Sequence, residues 1–304
     1  MRLCSVSVDL DEVRHYFAIH GLRQPSPDRA NVVYDTALER LGGFAAAHGI
    51  PLTLFAVAAD TARPANAARL EHMAGVGHEI ANHSLDHRYD LTLLGREEME
   101  RQVMEAVTLL ERATGRRPVG FRAPGYLVND TLFDVVLESG AQYDSSVFPC
   151  PAYGVAKLLA LGYGRLRGRR SSSIVGRPAA WLGPTRPYRR GSRCARTGDG
   201  LLELPIQVAG PVRIPYIGTT LTLLGPRRAR RLTRLLQRES FVNLELHGMD
   251  VLDYRDGLSP LWAHQPDVRV PFERKLDALG AAIETLRQQG RAFLTLREAA
   301  VRLG

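Results

Sequence analysis

Two histidines four residues apart, His83 and His87, offer the first recognisable chemistry. If the chain turns helically after the strand that precedes them, both imidazoles point the same way and can share one cation. Far upstream, Asp9 and Asp11 close the apolar run Leu3–Val8. Asp11 with the two histidines would make a set of two imidazoles and one carboxylate with open positions, which suits a catalytic metal that polarises a carbonyl and acidifies a bound water. The carboxylates Asp9 and Asp11 share a face if the strand runs through them and diverge if it turns after Asp9. One is expected on the metal, and the other, Asp9, to take a proton from the water. The competing use of either aspartate is to cap the turn after the strand. The ligand set does not identify the ion; zinc is expected, with cobalt, nickel, manganese or iron as alternatives.

The elements that must position these groups can be read from periodicity. Short apolar segments rich in β-branched residues alternate with helical-period segments, the pattern of strands joined by crossover helices into a parallel sheet or barrel. Strands are predicted at Leu3–Val8, Leu52–Val57, Glu79–Asn82, Val119–Arg122, near Tyr143, Leu202–Gln207, Val242–His247 and Ala292–Leu296. Helices are predicted at Asn31–His48, Gly95–Thr114, Asp130–Ser139 and Phe272–Gln289, each followed or closed by a glycine able to take a left-handed cap. Parallel α/β folds gather functional groups at the carboxyl ends of their strands. There the sequence places Asp9 and Asp11, His83 and His87, Arg122 to Tyr126, Asp144 and His247.

Composition narrows the setting. With 304 residues, 45% hydrophobic and 24% charged, the chain can bury a large core. Residues 1–304 are expected to form one catalytic domain with an irregular basic insertion at about 151–200. No apolar stretch of about 18 residues occurs, and Leu3–Val8 runs into acidic residues instead of a cleavage site. Cys4, Cys150 and Cys194 are far apart and lack Cys-x-x-Cys spacing. A cytoplasmic protein without a disulfide framework or thiolate zinc site is expected.

The net charge of +8 is local: Lys157–Arg196 holds eleven Lys and Arg and no Asp or Glu, leaving −3 on the remainder. Such a block implies an anionic partner. Lys157–Arg170 and Pro226–Arg238 both interleave leucines with cations and could lie on the inner face of an anionic membrane, each basic residue contributing roughly 1 kcal/mol. A solvated arginine-rich face is the alternative. Nucleic acid is not the expected partner, because regular aromatics and a binding motif are lacking.

Taken in order, these motifs resemble those of the polysaccharide deacetylases with a NodB-type catalytic domain, grouped with carbohydrate esterase family 4. The resemblance covers nearly the whole chain outside the insertion. It implies a distorted, incomplete (β/α)-barrel of about seven parallel strands. It also implies that Asp9 is the base, that Asp11, His83 and His87 are the ligands, and that Arg122, of an Arg-x-Pro motif with Pro124, orients the base. Asp144 would help fix base and acid, and His247 would be the general acid. A backbone N–H near Gly125, with Tyr126 beside it, would face the substrate oxyanion. The Leu-x-His motif fits loosely, since its leucine falls on Glu245. The chain also departs in its Asp-x-Asp spacing, in Arg88 where proline is usual, and in Gly125 where an aromatic is usual. The Asp-x-Asp form resembles the branch with cytoplasmic-type peptidoglycan deacetylases, allantoinase-like proteins and deformylases of lipid-linked aminoarabinose.

The expected reaction is metal-dependent hydrolysis of an N-acetyl or N-formyl amide on an amino sugar, such as a cell-envelope or lipid-linked glycan precursor. Rival readings are a metal-free cyclic-amide hydrolase, a basic nucleic-acid-binding protein and a family member that only binds glycan.

Overall fold

Alternation along the first strand determines where a polar site can form. The computed structural model describes all residues except 27–28, 167, 169–170, 177 and 192–196, which include Cys194 and six arginines of the basic segment. In chain order the elements are β1 (Arg2–Asp9), α1 (Val13–Ile19), α2 (Leu38–His48), β2 (Leu52–Ala56), α3 (Pro64–Gly75), β3 (Glu79–Asn82), α4 (Arg96–Thr114), β4 (Gly120–Phe121), α5 (Asp130–Glu138) and β5 (Tyr143–Asp144). They continue with α6 (Pro151–Leu166), α7 (Pro178–Trp181), β6 (Tyr188–Arg190), β7 (Thr197–Glu203), β8 (Val208–Ala209), β9 (Ile214–Pro215), α8 (Gly218–Arg234), β10 (Phe241–His247), α9 (Phe272–Gln288), β11 (Arg291–Phe293) and α10 (Leu296–Leu303).

Cys4, Val6 and Val8 of β1 join the main apolar core beneath the helices, as do Val242, Leu244 and Leu246 of β10. The intervening residues point to the other face of the sheet. There the parallel register sets Ser5 beside Asn243, Ser7 beside Glu245 and Asp9 beside His247. A buried polar face thus runs up the inside of the sheet towards its strand ends.

The main sheet has nine strands in the order β10-β1-β2-β3-β4-β5-β7-β6, with β11 pairing the start of β1. Every pairing is parallel except that of the edge strand β6. The sheet curls into a half-barrel with flanking helices. Across its open side, the Asn243 side chain donates to the Ser145 hydroxyl at 3.0 Å and to the Leu204 carbonyl at 3.1 Å.

The helices follow from amphipathic spacing. On α4, Met99, Val103, Ala106, Val107 and Leu110 recur at the three-and-four interval and are buried, and Gly115 stops the helix in a left-handed conformation (φ 67°). The helix expected over Asn31–His48 begins as a wider π-type turn, Val33–Ala37, before α2. The strand expected at Leu202–Gln207 lies earlier, at β7, and ends before Pro205, which has no N–H for a ladder.

The insertion is more ordered than its composition suggested. Pro151 opens α6 at a position where the missing N–H costs nothing, and the helix is followed by α7 and β6.

Candidate metal centre and active site

The chain turns immediately after β1. Leu10, whose N–H donates to the Phe55 carbonyl at 3.0 Å, is buried in the apolar core, so Asp9 and Asp11 lie together on the opposite side. The two histidines converge differently from expectation. No helical turn follows β3; instead Ser84 (φ 67°) and His87 (φ 53°) adopt left-handed backbone conformations. For residues with a Cβ this costs about 1–2 kcal/mol each. Hydrogen bonds hold the loop against that cost. Asn82 Oδ1 accepts from Ser84 N–H at 2.8 Å, Ser84 Oγ accepts from His87 N–H at 3.1 Å, and Gln102 of α4 binds Asp86 through both backbone and side chain.

Asp11 Oδ1 then stands 3.1 Å from His83 Nε2 and 3.0 Å from His87 Nε2. All three side chains are buried. Although so close, these three atoms have no hydrogen-bond partner. All three lie close enough together to share one ion. Buried polar atoms are rarely left orphaned, and a cation held among them would satisfy all three. His83 has the orientation such a ligand requires, because its Nδ1 is fixed by the Arg122 carbonyl at 2.8 Å. His15 of α1 lies against His87, ring centres 4.3 Å apart, and burial pushes its pKa down to about 2. The residues present therefore fit a divalent metal.

Asp9 sits beside this trio, its Oδ2 3.8 Å from His83 Nε2. The fully buried Arg122 holds it, donating from Nη1 to Asp9 Oδ1 at 2.6 Å. The same guanidinium donates to Ser7 Oγ and Ser145 Oγ, both at 2.8 Å, and to the Ser145 carbonyl at 2.9 Å. It also lies 4.1 Å over the Phe55 ring. With so many contacts, its direction towards Asp9 is fixed.

His247 ends β10 and retains 19% of its side-chain surface. Its Nδ1 pairs with buried Glu245 at 2.9 Å, and the Tyr126 hydroxyl donates to Glu245 at 3.0 Å while standing 3.3 Å from His247 Nε2. Burial disfavours the imidazolium, but the Glu245 charge and hydrogen bond outweigh it and hold the His247 pKa well above the usual histidine value. Asp9, Glu245 and His247 also lie close enough to hold a metal. Here, however, hydrogen bonds occupy both ring nitrogens, unlike the orphaned atoms of the other trio.

The structure thus brings together Asp9, Asp11, His83, His87, Arg122, Tyr126 and His247. It does not bring Asp144 to Asp9 or His247. In β5, Tyr143 and Asp144 face opposite ways: Tyr143 donates to Glu79 inside the barrel, whereas Asp144 accepts from the Ser146 hydroxyl and N–H. Buried Glu203 lies beside Asp144, and burial followed by the Asp144 charge drives its pKa well up. Asp144 reaches the site only through Ser146, whose hydroxyl accepts from Ala123 N–H at 2.8 Å.

The oxyanion expectation also changes in part. Tyr126 N–H is already donated to the Ala123 carbonyl at 3.1 Å, so this residue contributes its phenol to the Glu245–His247 pair. Gly125 (φ 61°) has Tyr89 where a side chain would stand, since a Cβ would come within 2.8 Å of that ring. Tyr89 in turn lies edge-on to His87, ring centres 4.9 Å apart. An aromatic from a neighbouring loop therefore fills the place where one was expected in the motif. Glu245, Tyr89 and Lys157 were not singled out from sequence. Only the alternation of β10 pointed to Glu245, through its shared face with His247.

The basic segments also divide. Leu232 and Leu236, at the α8 end, are buried in the core, so this helix uses its apolar face internally. On α6, Val155, Leu158, Leu159 and Leu166 are exposed, the last at 88%. Arg186 pairs with Glu239, and Arg190 with Asp130 and the Phe133 ring. Part of the cationic block thus serves the fold. Among the described residues, no helix is long and apolar enough to cross a membrane.

Comparison with known proteins bears on the fold and on the middle of the chain. Residues 33–143 match the polysaccharide deacetylase family, a span that contains both histidines and Arg122 but neither Asp9, Asp11 nor His247. The chain is 24% identical over 148 residues to a peptidoglycan deacetylase of Helicobacter pylori, covering 48% of this chain and 49% of that protein. It is 35% identical over 97 residues to a chitooligosaccharide deacetylase of Sinorhizobium fredii, covering 31% and 43%. The matched stretches span less than half the length of these relatives. Among solved structures, a Mycobacterium smegmatis protein provisionally described as a polysaccharide deacetylase superposes with a TM-score of 0.53 at 19% identity, covering 96% of this chain and 93% of that one. A family 4 carbohydrate esterase pseudoenzyme of Bacillus anthracis gives 0.52 at 11%, covering 98% and 65%. Shared fold alone therefore does not carry activity.

Proposed function

From the premise that the chain is a NodB-type polysaccharide deacetylase homologue, we propose that it is a metal-dependent hydrolase that removes an acetyl or formyl group from the nitrogen of an amino sugar. The observation that carries this reading is the orphaned trio Asp11, His83 and His87, set beside an arginine-held carboxylate on one side and a carboxylate-held histidine on the other. These three residues would hold the ion, with zinc the first candidate. Once bound, it would polarise the amide carbonyl and acidify a water.

The chain's own groups divide the proton traffic. Asp9, aimed by Arg122, accepts a proton from the attacking water. His247, kept protonated by Glu245, donates from Nε2 to the departing nitrogen. The Tyr126 phenol fixes the Glu245–His247 pair, and Asp144 supports the Arg122–Ala123 segment through Ser146. Backbone around Gly125 lines the side on which the acyl oxygen sits.

The proposed substrates are N-acylated sugars of cell-envelope or lipid-linked glycans, met at the cytoplasmic face of an anionic membrane. The exposed leucines of α6 at the start of the cationic segment support the membrane contact, and the free buried thiols of Cys4 and Cys150 suit a reducing setting.

Acetate and formate release can be followed on chitooligosaccharides, peptidoglycan fragments and lipid-linked N-acyl sugars, before and after chelation. Chelation is expected to abolish release and zinc to restore it. Asp9→Asn should keep the metal while losing turnover by roughly 10²–10⁴-fold. Full turnover after exhaustive chelation would favour the metal-free cyclic-amide reading; no release from any substrate would sink the hydrolase.

A further inference from the structure

Helix α6 returns residues of the insertion to the site. Tyr153 packs its ring against Tyr126 and Phe148, with centres 5.8 Å and 5.1 Å apart. Gly154 allows close approach to Trp181, whose ring lies 2.4 Å from where a Cβ would be. One turn further, Lys157 points inward. Its Nζ donates to the Gly125 carbonyl at 3.4 Å and stands 5.9 Å from the centre of the Tyr153 ring. Gly125 abuts Tyr89, and Tyr89 abuts His87, so the ammonium is three contacts from a proposed metal ligand.

Among the described residues, Lys157 makes no ion pair: Asp9 goes to Arg122, Asp11 to the two histidines and Glu245 to His247. Burial alone presses its pKa down to about 8. Lys157 is only partly exposed, and taking most of an ammonium's surroundings out of water without a counter-charge is unfavourable, with a carbonyl at 3.4 Å as weak compensation. A ligand anion brought against Lys157 beside the Gly125 and Tyr89 loops would supply what is missing, and lysine suits phosphate as a compact point charge.

We propose that Lys157 is an anion-binding residue of the substrate site, so that the N-acyl amino sugar accepted here carries a phosphate or carboxylate close to the reacting amide. The identity of the sugar rests on the deacylase reading; the anion subsite can be tested without it. Binding of N-acetylglucosamine 1-phosphate, N-acetylmuramic acid and neutral N-acetylglucosamine to the full chain is measured by calorimetry, which needs no turnover. At least one anionic sugar should bind about tenfold or more tightly than the neutral one. Whichever holds the advantage identifies the anion as phosphate or carboxylate. Lys157→Gln should erase that advantage and leave neutral-sugar binding and melting temperature unchanged, while Lys157→Arg should largely retain it. Equal affinities in the wild type, no binding of either anionic sugar, or an advantage that survives Lys157→Gln would each overturn the subsite. An anion preference without acyl release would overturn the reaction and leave the subsite standing.

Discussion

Glu245 falls where the resembled motif has leucine, and strand register explains the result. Leu244 and Leu246 face the helices, so position 245 shares the barrel interior with His247, and a carboxylate there becomes the partner of the proposed acid. The consequence for pH has a definite sign. His247 can donate only while protonated, and its pKa is held well above the ordinary value of about 6.5, so the acid form persists through neutrality and is lost as pH rises through the raised value. Glu245→Gln removes the charge that opposes burial. Its alkaline limb of kcat/KM should therefore move to lower pH, and activity on the alkaline side should fall before that on the acid side. A pH–rate profile checks this, and an unmoved alkaline limb would assign Glu245 to packing alone. The pair's contribution to stability follows the same signs. The raised His247 contributes stability fully present below its unfolded value and lost as pH rises through the folded one. The depressed Glu245 contributes stability present above its unfolded value of about 4.3 and lost as pH falls.

At the level of elements, the site depends on strands too short to read from sequence. Strand β4 has two residues, yet it delivers Arg122 to the barrel interior. Gly120 makes room for it: the Tyr143 ring crosses this position on its way to Glu79, and a Cβ at Gly120 would fall 2.1 Å from the Tyr143 hydroxyl. Gly120→Ala should cost about 1–3 kcal/mol of stability from overpacking. Urea denaturation measures that cost, and a parallel loss of turnover would show that Arg122 had shifted. Wild-type stability in the variant would mean that Tyr143 yields freely. The same short elements mark what the sequence could reveal. Asp9, Asp11, His83, His87 and His247 were legible because each follows a recognisable apolar run and functional groups gather where such strands end. Asp144 meets the site only indirectly, through Ser146, and a two-residue strand gives no periodicity from which to tell its face. The left-handed turns at Ser84 and His87 were equally hidden, since they are enforced by side-chain oxygens of Asn82 and Ser84 that accept from the backbone of the loop.

Over the whole molecule, charge and apolar exposure coincide on the insertion. A net +8 arises from a segment that starts on α6, and α6 exposes Val155, Leu159 and Leu166 on the side away from Tyr153 and Lys157, with Leu158 exposed on its flank. The inward side touches the active-site loops, so a surface that covered the outward side would lie next to the site. A second copy would bring two cationic segments together, whereas an anionic bilayer would neutralise them while taking up the leucines. The full chain should float with vesicles of phosphatidylethanolamine and phosphatidylglycerol and not with phosphatidylcholine alone. Binding should weaken at high salt, because the attraction is screened beyond roughly 3 Å at 1 M. Leu159→Asp with Leu166→Asp changes two exposed positions, so the melting temperature should hold while flotation is lost. If wild type stays in the soluble fraction, or the double variant floats equally well, the leucines of α6 have another role. If flotation is lost and hydrolysis of soluble oligosaccharides is retained, the insertion acts in bringing the enzyme to its substrate and not in the chemistry at Asp11, His83 and His87.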